Sequence, residues 1–124
     1  MSDYGIILVS HSKNIAQGIY ELIQEVAKDV EMTYVGGNPD GGIGTSFDQV
    51  QDIIQANPKE KLLAFYDLGS AKMNLDMAIE FSDKEIRLYN VAVVEGTYTA
   101  AALLQAGASI DMIEAQLKDM ELNK

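Results

Sequence analysis

Residues 4–18 read YGIILVSHSKNIAQG and contain the only histidine of the chain, His11. Four apolar residues at positions 6–9 precede this histidine, in the continuous pattern typical of a parallel strand buried on both faces. Apolar residues at helical spacing follow it, and Ser12 is the predicted N-cap of a helix over residues 12–28. The stretch therefore predicts a buried strand that turns directly into a helix, with an imidazole at the turn.

The buried face of this first helix is predicted from five apolar residues spaced at i, i+4, i+7, i+8 and i+11: Ile15, Ile19, Leu22, Ile23 and Val26.

The remaining sequence repeats the alternation of strand and helix. Further strands are predicted over residues 30–35, 62–66 and 86–90, and residues 91–94 could extend the last one. Further helices are predicted after Ser70 and over residues 99–106, and two more are predicted to begin at the caps Ser46 and Ser109. Strands alternating with helices predict one α/β domain over residues 1–124, with a doubly wound, mainly parallel sheet and helices on both faces.

Composition narrows the classes of function. The chain has 124 residues, 48% of them apolar, which suits one compact domain. A net charge of −10 argues against binding to nucleic acid or to an anionic membrane surface. The absence of cysteine excludes disulfides and thiol catalysis. No basic leader and no apolar stretch of ~18 residues is visible, so we expect a cytoplasmic protein.

The topology of a doubly wound sheet is expected to bring separate parts of the sequence to one edge of the sheet. Ligands of doubly wound sheets bind at the carboxyl ends of the strands, near the point where strand order reverses. Ser10-His11, the glycine-rich loop at residues 36–44, Asp67 and Asn90 each follow a predicted strand. We therefore expect all four to lie along the same edge of the sheet.

His11 is the candidate nucleophile. Neutral imidazole can attack a phosphoryl donor and form a phosphohistidine, provided that one ring nitrogen is free and the other holds the proton. A carboxylate bonded to the protonated nitrogen would fix that tautomer. Asp67 is the candidate for this role, and the alternative is an aspartate that only begins a turn or a helix.

The glycine-rich loop fails the two nucleotide-binding patterns against which it can be tested. The Walker A pattern would need a lysine where Ile43 stands, and the dinucleotide pattern would need a glycine where Phe47 stands. What remains is a loop that enters a helix at Thr45-Ser46, where exposed N–H groups could bind an anion. The alternative is an ordinary surface loop. Gly69-Ser70 and Ser12 open two further helices that would face the same histidine.

The sequence lacks the residue patterns of a hydrolase triad and of a metal site. No G-x-S-x-G elbow accompanies the serines beside His11, so a hydrolase triad is set aside. The histidine clusters typical of metal sites are also missing, and we expect no metal on this chain.

Three separated motifs carry a family resemblance. ILVSHS at 7–12, GGIGTSFD at 41–48 and YDLGSAKMN at 66–74 resemble the phosphotransfer subunit of phosphoenolpyruvate-dependent dihydroxyacetone kinase. VVEG at 93–96 is similar too. This family is related to the mannose-type IIA domains of the bacterial phosphotransferase system. The resemblance implies a fifth strand and a homodimer, so the expectation is a mainly parallel sheet of four to five strands.

The resemblance also implies a function and a set of site residues. A histidine-containing phosphocarrier protein would phosphorylate His11, which Asp67 orients. The phosphoryl group would then pass to ADP, held with Mg²⁺ on the nucleotide-binding subunit of the kinase, and this subunit itself would bind no cofactor. The positions matching the family's phosphoryl-binding loops, together with the serines that flank the histidine, are Ser10, Ser12, Gly42, Gly44, Thr45, Ser46, Gly69 and Ser70.

Two alternatives to the kinase subunit stay open. The first is a IIA domain of a mannose-type sugar uptake system, although such domains usually carry D-x-x-G-G-S-P where this chain has DLGSAK at residues 67–72. The second is a non-catalytic regulatory module. As a weak physical hint of a dimer, the apolar stripe of the last helix and the small residues at 99–106 exceed what a small monomer must bury.

Overall fold

The structure, a computed structural model, describes residues 3–124 and contains a four-stranded, wholly parallel sheet in the order β2-β1-β3-β4. The strands are β1 (Tyr4–Ser10), β2 (Met32–Gly36), β3 (Lys61–Tyr66) and β4 (Glu85–Leu88). The helices are α1 (Lys13–Val26), α2 (Phe47–Ala56), α3 (Ala71–Phe81), α4 (Val93–Gln105) and α5 (Ile110–Lys118). The predicted α/β class and the alternation of strand and helix are confirmed.

The sheet separates two apolar cores. Ile6 and Leu8 of β1 face the core formed with α1, α4 and α5, whereas Ile7 and Val9 face the core formed with α2 and α3. All four side chains are fully buried, which explains why the strand is continuously apolar. Because β1 lies between β2 and β3, strand order reverses between β1 and β3, so His11 and Asp67 follow the two strands of the switch point.

The predicted buried face of α1 is partly wrong. Ile15, Leu22 and Val26 are 48%, 46% and 37% exposed, and the buried residues of the helix are Ala16, Ile19 and Ile23. Rotating the helix so that Ala16 faces the core places the other three on one flank, beyond the contact with the sheet. The sequence pattern shows that one side of the helix is apolar, but it does not show which part of that side packs against the sheet. It could therefore not predict this rotation.

The prediction that residues 91–94 extend the fourth strand is wrong. β4 ends at Leu88, and α4 already begins at Val93, six residues before the predicted helix. Gly96 explains the difference, because a Cβ there would overlap the side chain of Val91. The glycine lets the first turn of α4 pack against Val91, and this tertiary contact overrides the β-propensity of the valines.

The segment after α5 returns to the carboxyl ends of β3 and β4. The N–H of Leu122 donates to the carbonyl of Asn90 (2.9 Å), and Val91 and Glu121 form one isolated antiparallel bridge. Within residues 3–124 this bridge is all that adds to the four strands, so the implied fifth strand is not formed there.

The physical hint of a dimer is wrong. Ile113 and Leu117 of α5 are buried in the chain's own core, and the flanking Ile110 and Met120 pack against it. Ala100 and Ala101 of the small-residue run are fully buried as well. The monomer therefore uses most of the apolar surface on which the hint depended. Separately, none of the helices described over residues 3–124 is long and apolar enough to cross a membrane.

Two glycines allow a test of how tightly β2 packs against the start of α1. A Cβ on Gly36 would overlap the carbonyl oxygen of Ser12, whereas a Cβ on Gly18 would meet no atom within 4 Å. We expect Gly36→Ala to lower the free energy of unfolding by about 1–3 kcal/mol through overpacking. Gly18→Ala, in the exposed middle of α1, should raise it by about 0.5–1 kcal/mol. Urea unfolding measures the free energy of unfolding of both variants. Equal changes in the two variants would contradict the close packing at Gly36.

Candidate functional site

His11 lies immediately after β1, at the turn into α1. Its position is fixed by the backbone: its N–H donates to Oδ2 of Asp67 (3.0 Å) and its carbonyl accepts from the N–H of Gly44 (2.9 Å). Ser12 caps α1 by accepting from the N–H of Ile15 (3.3 Å), as predicted. The histidine therefore stands between the end of a buried strand and a capped helix, with little freedom of the main chain.

Asp67, which follows β3, collects the hydrogen bonds of the site. Its Oδ1 lies 2.9 Å from Nδ1 of His11 and accepts from the N–H of Leu68 (2.7 Å). Its Oδ2 accepts from the hydroxyl of Ser10 (2.8 Å) and from the N–H of His11. Ser10 is nearly fully buried, and its hydroxyl oxygen accepts from the N–H of Ser12 (3.1 Å). The carboxylate is thus held in one orientation, with Oδ1 directed at the imidazole.

Two opposing effects act on the pKa of Asp67. Burial raises the pKa of this carboxyl, but hydrogen bonds from His11, Ser10 and Leu68 outweigh burial and leave the pKa below its ordinary value of 3.8. Asp67 is therefore ionised at neutral pH. Because an ionised carboxylate can only accept, Nδ1 of a neutral His11 must carry the hydrogen, and Nε2 keeps its lone pair.

Ser70 contacts the other ring nitrogen. Its Oγ lies 2.6 Å from Nε2 of His11, so with Nδ1 protonated the hydroxyl donates to the lone pair of Nε2. Ser70 is also the N-cap residue of α3, yet its side chain makes no capping bond to that helix. The hydroxyl faces the imidazole, and within residues 3–124 the N–H groups of Gly69 and Ser70 donate no hydrogen bond.

The glycine-rich loop is closed on itself. Gly42 donates its N–H to Oδ1 of Asp40 (2.8 Å), and its carbonyl accepts from the N–H of Asn38 (2.8 Å). The side chain of Asn38 also donates to the carbonyl of Ile43 (2.9 Å). Since the N–H of Gly44 is bonded to His11, neither Gly42 nor Gly44 offers the free N–H that a phosphoryl-binding role would need. These two predictions are not supported by the geometry.

The residues at the start of α2 are arranged differently. Ser46 accepts from the N–H of Gln49 (3.2 Å) and so caps the helix, as predicted. Oγ1 of Thr45 accepts from the side-chain amide of Asn74 (2.8 Å), which leaves the hydroxyl hydrogen of Thr45 to donate elsewhere. The N–H groups of Thr45 and Ser46 donate no hydrogen bond within the described chain.

The site therefore brings together four of the predicted residues: Ser10, His11, Asp67 and Ser70. Ser12 and Ser46 lie at the rim as helix caps, and Thr45 and Gly69 lie in the flanking turns. Asn90, expected on the same rim, accepts a hydrogen bond from the hydroxyl of Tyr66 and forms none with His11.

Two residues of the surroundings were missed. Asn74 stands one helical turn after Ser70, within the third motif, so its position on the face of α3 above the site could have been found by helical spacing. Lys124 gave no signal in the sequence. Its ammonium group donates to the carbonyls of Tyr66 (2.8 Å), Asp67 (3.2 Å) and Val91 (2.6 Å), directly behind the turn that carries Asp67.

The environment of the Lys124 side chain is unusual for a surface lysine. Its Nζ lies 4.3 Å from the centroid of the Tyr66 ring. Burial lowers the pKa of its ammonium group, and the nearby charge of Asp67 offsets only part of this shift. Over residues 3–124 there is no group of three or more His, Cys, Asp or Glu side chains that could hold a metal ion.

Known proteins resemble this chain over nearly its whole length. Residues 5–114 match the model of a family described as the PTS system fructose IIA component. The chain is 52% identical to the phosphotransferase subunit DhaM of the PTS-dependent dihydroxyacetone kinase of Lactococcus lactis, over 98% of each chain. It is 47% identical to the phosphoryl donor subunit DhaM of PEP-dependent dihydroxyacetone kinase 1 of Listeria innocua, over 96% of each.

One solved structure is similar to this chain in fold, at a sequence identity too low to carry an argument about function. The crystal structure of the phosphotransferase system component EIIA from Streptococcus agalactiae superposes with a TM-score of 0.65 at 20% identity, covering 94% of this chain and 90% of that one.

The lowered pKa of Asp67 predicts how the stability of the protein depends on pH. The folded pKa lies below the ordinary value, so the stabilisation from this carboxylate is fully present above about pH 4 and is lost as pH falls through the folded pKa. We expect Asp67→Asn to lower the free energy of unfolding at pH 7 and to flatten its fall below pH 4. Urea unfolding at pH 7, 5, 4 and 3 tests this.

The matched control is Asp52→Asn, because Asp52 is an exposed carboxylate on α2. The control should follow the wild-type pH profile. A parallel profile for Asp67→Asn would show that the hydrogen bonds to Asp67 do not stabilise its ionised form.

Proposed function

The chain belongs to the fructose IIA component family of the phosphotransferase system and, within it, to the phosphotransferase subunits of dihydroxyacetone kinase, and we propose that it is a phosphohistidine relay in that complex. In this proposal His11 accepts a phosphoryl group from the histidine-containing phosphocarrier protein. It then passes the group to ADP on the nucleotide-binding subunit of the kinase. The subunit acts as a phosphotransferase through a covalent phosphohistidine intermediate.

One observation carries the proposal: the two ring nitrogens of His11 have different partners. Nδ1 lies 2.9 Å from the ionised Asp67, and Nε2 lies 2.6 Å from the Ser70 hydroxyl. The carboxylate selects the tautomer with a free lone pair on Nε2 and stabilises the positive charge that develops on the ring as that nitrogen attacks. We therefore assign phosphorylation to Nε2.

The chemistry at His11 balances without an added proton carrier. The lone pair of Nε2 forms a bond to phosphorus while the bond from phosphorus to the imidazole of the phosphocarrier breaks. In the second transfer, the terminal phosphate oxygen of ADP attacks phosphorus, and the bond to Nε2 breaks as ATP forms. Both are in-line displacements, in which the protein contributes positioning and charge stabilisation. The Ser70 hydroxyl has to leave Nε2 before the first bond forms.

The turns around His11 offer donors for the phosphoryl oxygens. The free N–H groups of Gly69 and Ser70 belong to the start of α3, where the helix dipole favours negative charge. Those of Thr45 and Ser46 stand at the start of α2, with the Thr45 hydroxyl beside them. Donors fixed before the reaction stabilise transferred charge without reorganisation. We propose that these groups bind the phosphoryl group, while Ser10 holds Asp67 and the N–H of Ser12 in place and Ser12 caps α1.

In this proposal the nucleotide is bound by the partner subunit and not by this chain. The glycine-rich loop lacks the lysine of a phosphate-binding loop, and its N–H groups at Gly42 and Gly44 are engaged within the chain. We therefore propose that ADP and its Mg²⁺ are held by the nucleotide-binding subunit. We place the exchange in the cytoplasm, where a soluble phosphocarrier would meet this subunit, and we expect dihydroxyacetone and glycerol metabolism to use the product.

The first test is phosphorylation itself. Incubation with phosphoenolpyruvate, the general phosphotransfer enzyme and the phosphocarrier should add one phosphoryl group, visible by intact-mass spectrometry. His11→Ala should abolish the addition, because no other histidine exists in the chain. Ser109→Ala, which removes the capping hydroxyl of α5, a helix that carries no residue of the site, is the control and should still be phosphorylated. No addition to the wild type, or addition that survives His11→Ala, would refute the relay and favour a non-catalytic regulatory module.

The acceptor decides between the two phosphotransfer alternatives. The purified phosphorylated protein should transfer its label to the ADP-loaded nucleotide-binding subunit of the kinase. Transfer to the IIB domain of a mannose-type transporter should be slower by at least tenfold. Faster transfer to the IIB domain would identify a sugar uptake component. The identity of 52% to a kinase subunit is the observation that favours the kinase.

We also propose the homodimer that the family resemblance implies. The exposed apolar flank of α1, formed by Ile15, Leu22 and Val26, is a surface such a dimer could cover. Sedimentation velocity at micromolar concentration should show a species of twice the chain mass. Leu22→Glu should shift that species to the monomer, whereas Gln17→Glu, on the exposed polar side of the same helix, should not. A wild-type monomer at these concentrations would contradict the proposal.

A further inference from the structure

Lys124 occupies a site that three backbone carbonyls form at the ends of β3 and β4. Its Nζ donates to the carbonyl oxygens of Tyr66 (2.8 Å), Asp67 (3.2 Å) and Val91 (2.6 Å). A lysine ammonium has three donors, so each donor has one acceptor. The Tyr66 ring lies against the ammonium at 4.3 Å. Such complete pairing fixes the charge, unlike the mobile end of an exposed lysine.

The pairing of β3 with β4 explains why the carbonyl of Tyr66 lacks a hydrogen-bond donor from the sheet. β4 pairs with β3 only as far as Leu88 opposite Ala64, and the N–H of Tyr89 donates to the carbonyl of Ala64 (3.1 Å). Beyond that point β4 ends while β3 continues to Tyr66. The carbonyl of Tyr66 therefore has no neighbouring strand on this side to donate to it, and the ammonium of Lys124 takes that place.

The turn that follows β3 closes on itself through two backbone hydrogen bonds, from Ala71 to Leu68 and from Lys72 to Gly69 (both 3.0 Å), whereas the contacts of Lys124 tie it to Val91 on the β4 side. It contains Gly69, and its last residue, Ser70, makes no capping bond to α3. The same turn carries both partners of the imidazole, since Asp67 contacts Nδ1 and Ser70 contacts Nε2 of His11. A movement of this turn would change both contacts together.

We propose that Lys124 is a positioning residue for His11: its ammonium ties the β3–α3 turn to Val91, and so holds Asp67 against Nδ1 and the start of α3 beside Nε2. The cation also places a fixed positive charge behind a site that holds one carboxylate and, when phosphorylated, a phosphoryl group. This role rests on the proposed function for its effect on phosphoryl transfer, but its effect on the imidazole exists without any phosphorylation.

The main experiment replaces Lys124 by methionine, which keeps an unbranched side chain as far as the ε carbon and removes the charge and the donors. Nitrogen-15 NMR of the unphosphorylated protein reports how far the neutral His11 ring is restricted to the tautomer protonated on Nδ1. We expect Lys124→Met to lower the population of that tautomer and to slow phosphoryl transfer from the phosphocarrier by about tenfold, as small displacements of catalytic groups do. Lys118→Met, which removes an exposed lysine of α5, is the control and should change neither.

Chemical rescue distinguishes positioning from a general loss of structure. In Lys124→Ala, added n-propylammonium supplies the missing carbons and the ammonium, and it should restore both the tautomer population and the rate. The same salt should have no effect on the wild type or on Lys118→Met. Rescue by n-propylammonium but not by n-propanol would show that the charge is required.

Three results would overturn the inference. Lys124→Met could leave the tautomer unchanged, it could lower only the free energy of unfolding while tautomer and rate per folded molecule stay at wild-type values, or n-propylammonium could fail to rescue Lys124→Ala. A failure of the proposed function is recognised separately, because the wild type would then take up no phosphoryl group, while the tautomer comparison would still decide the role of Lys124.

Discussion

The hydrogen bond between Nδ1 of His11 and Oδ1 of Asp67 joins two residues that lie 56 positions apart in the chain. It can form only if β1 and β3 are neighbours in the sheet and end at the same level. Their register provides this, because Val9 stands opposite Tyr66, and each strand enters a turn within two residues. The alternating apolar faces of β1, which pack against helices on both sides, hold the strand in the centre of the sheet. The fold therefore makes possible one 2.9 Å contact, and that contact decides which nitrogen of the neutral imidazole keeps its lone pair.

A second constraint follows from the carboxylate. Burial opposes the ionised form of Asp67, and four hydrogen-bond donors of Ser10, His11 and Leu68 reverse the effect. Two of these donors are backbone N–H groups, of His11 and Leu68, and two are side-chain groups, of Ser10 and His11, so the orientation of Asp67 depends equally on the main chain and on neighbouring side chains. The turn after β3 is correspondingly important, since it also presents Ser70 to Nε2. Lys124 lies behind that turn and supplies the hydrogen bonds that the shorter β4 does not.

The sequence predicted the class of fold and the centre of the site because both depend on local patterns. A continuous apolar run of four residues is typical of a central parallel strand, and a serine before helical spacing is typical of a cap. Ser12, Ser46 and Ser109 all cap their helices as predicted. The predictions that failed concern contacts between distant segments: Val93 and Val94 have strand propensity, but Gly96 lets them start a helix against Val91. The prediction for Gly42 and Gly44 failed for a similar reason. The glycine-rich sequence does not reveal that Asp40 and His11 already accept hydrogen bonds from these two N–H groups.

The sequence by itself determined that a lone histidine ends a buried strand, that an aspartate ends another, and that both belong to one rim of a parallel sheet. These follow from composition and periodicity, which depend on neighbours along the chain. Only the tertiary structure decided which ring nitrogen faces Asp67, which face of α1 is buried, and that Lys124 reaches the carbonyls behind the site. Those outcomes depend on distances between segments up to 58 positions apart, and such distances are set by packing of the whole domain and leave no periodic signal in the sequence.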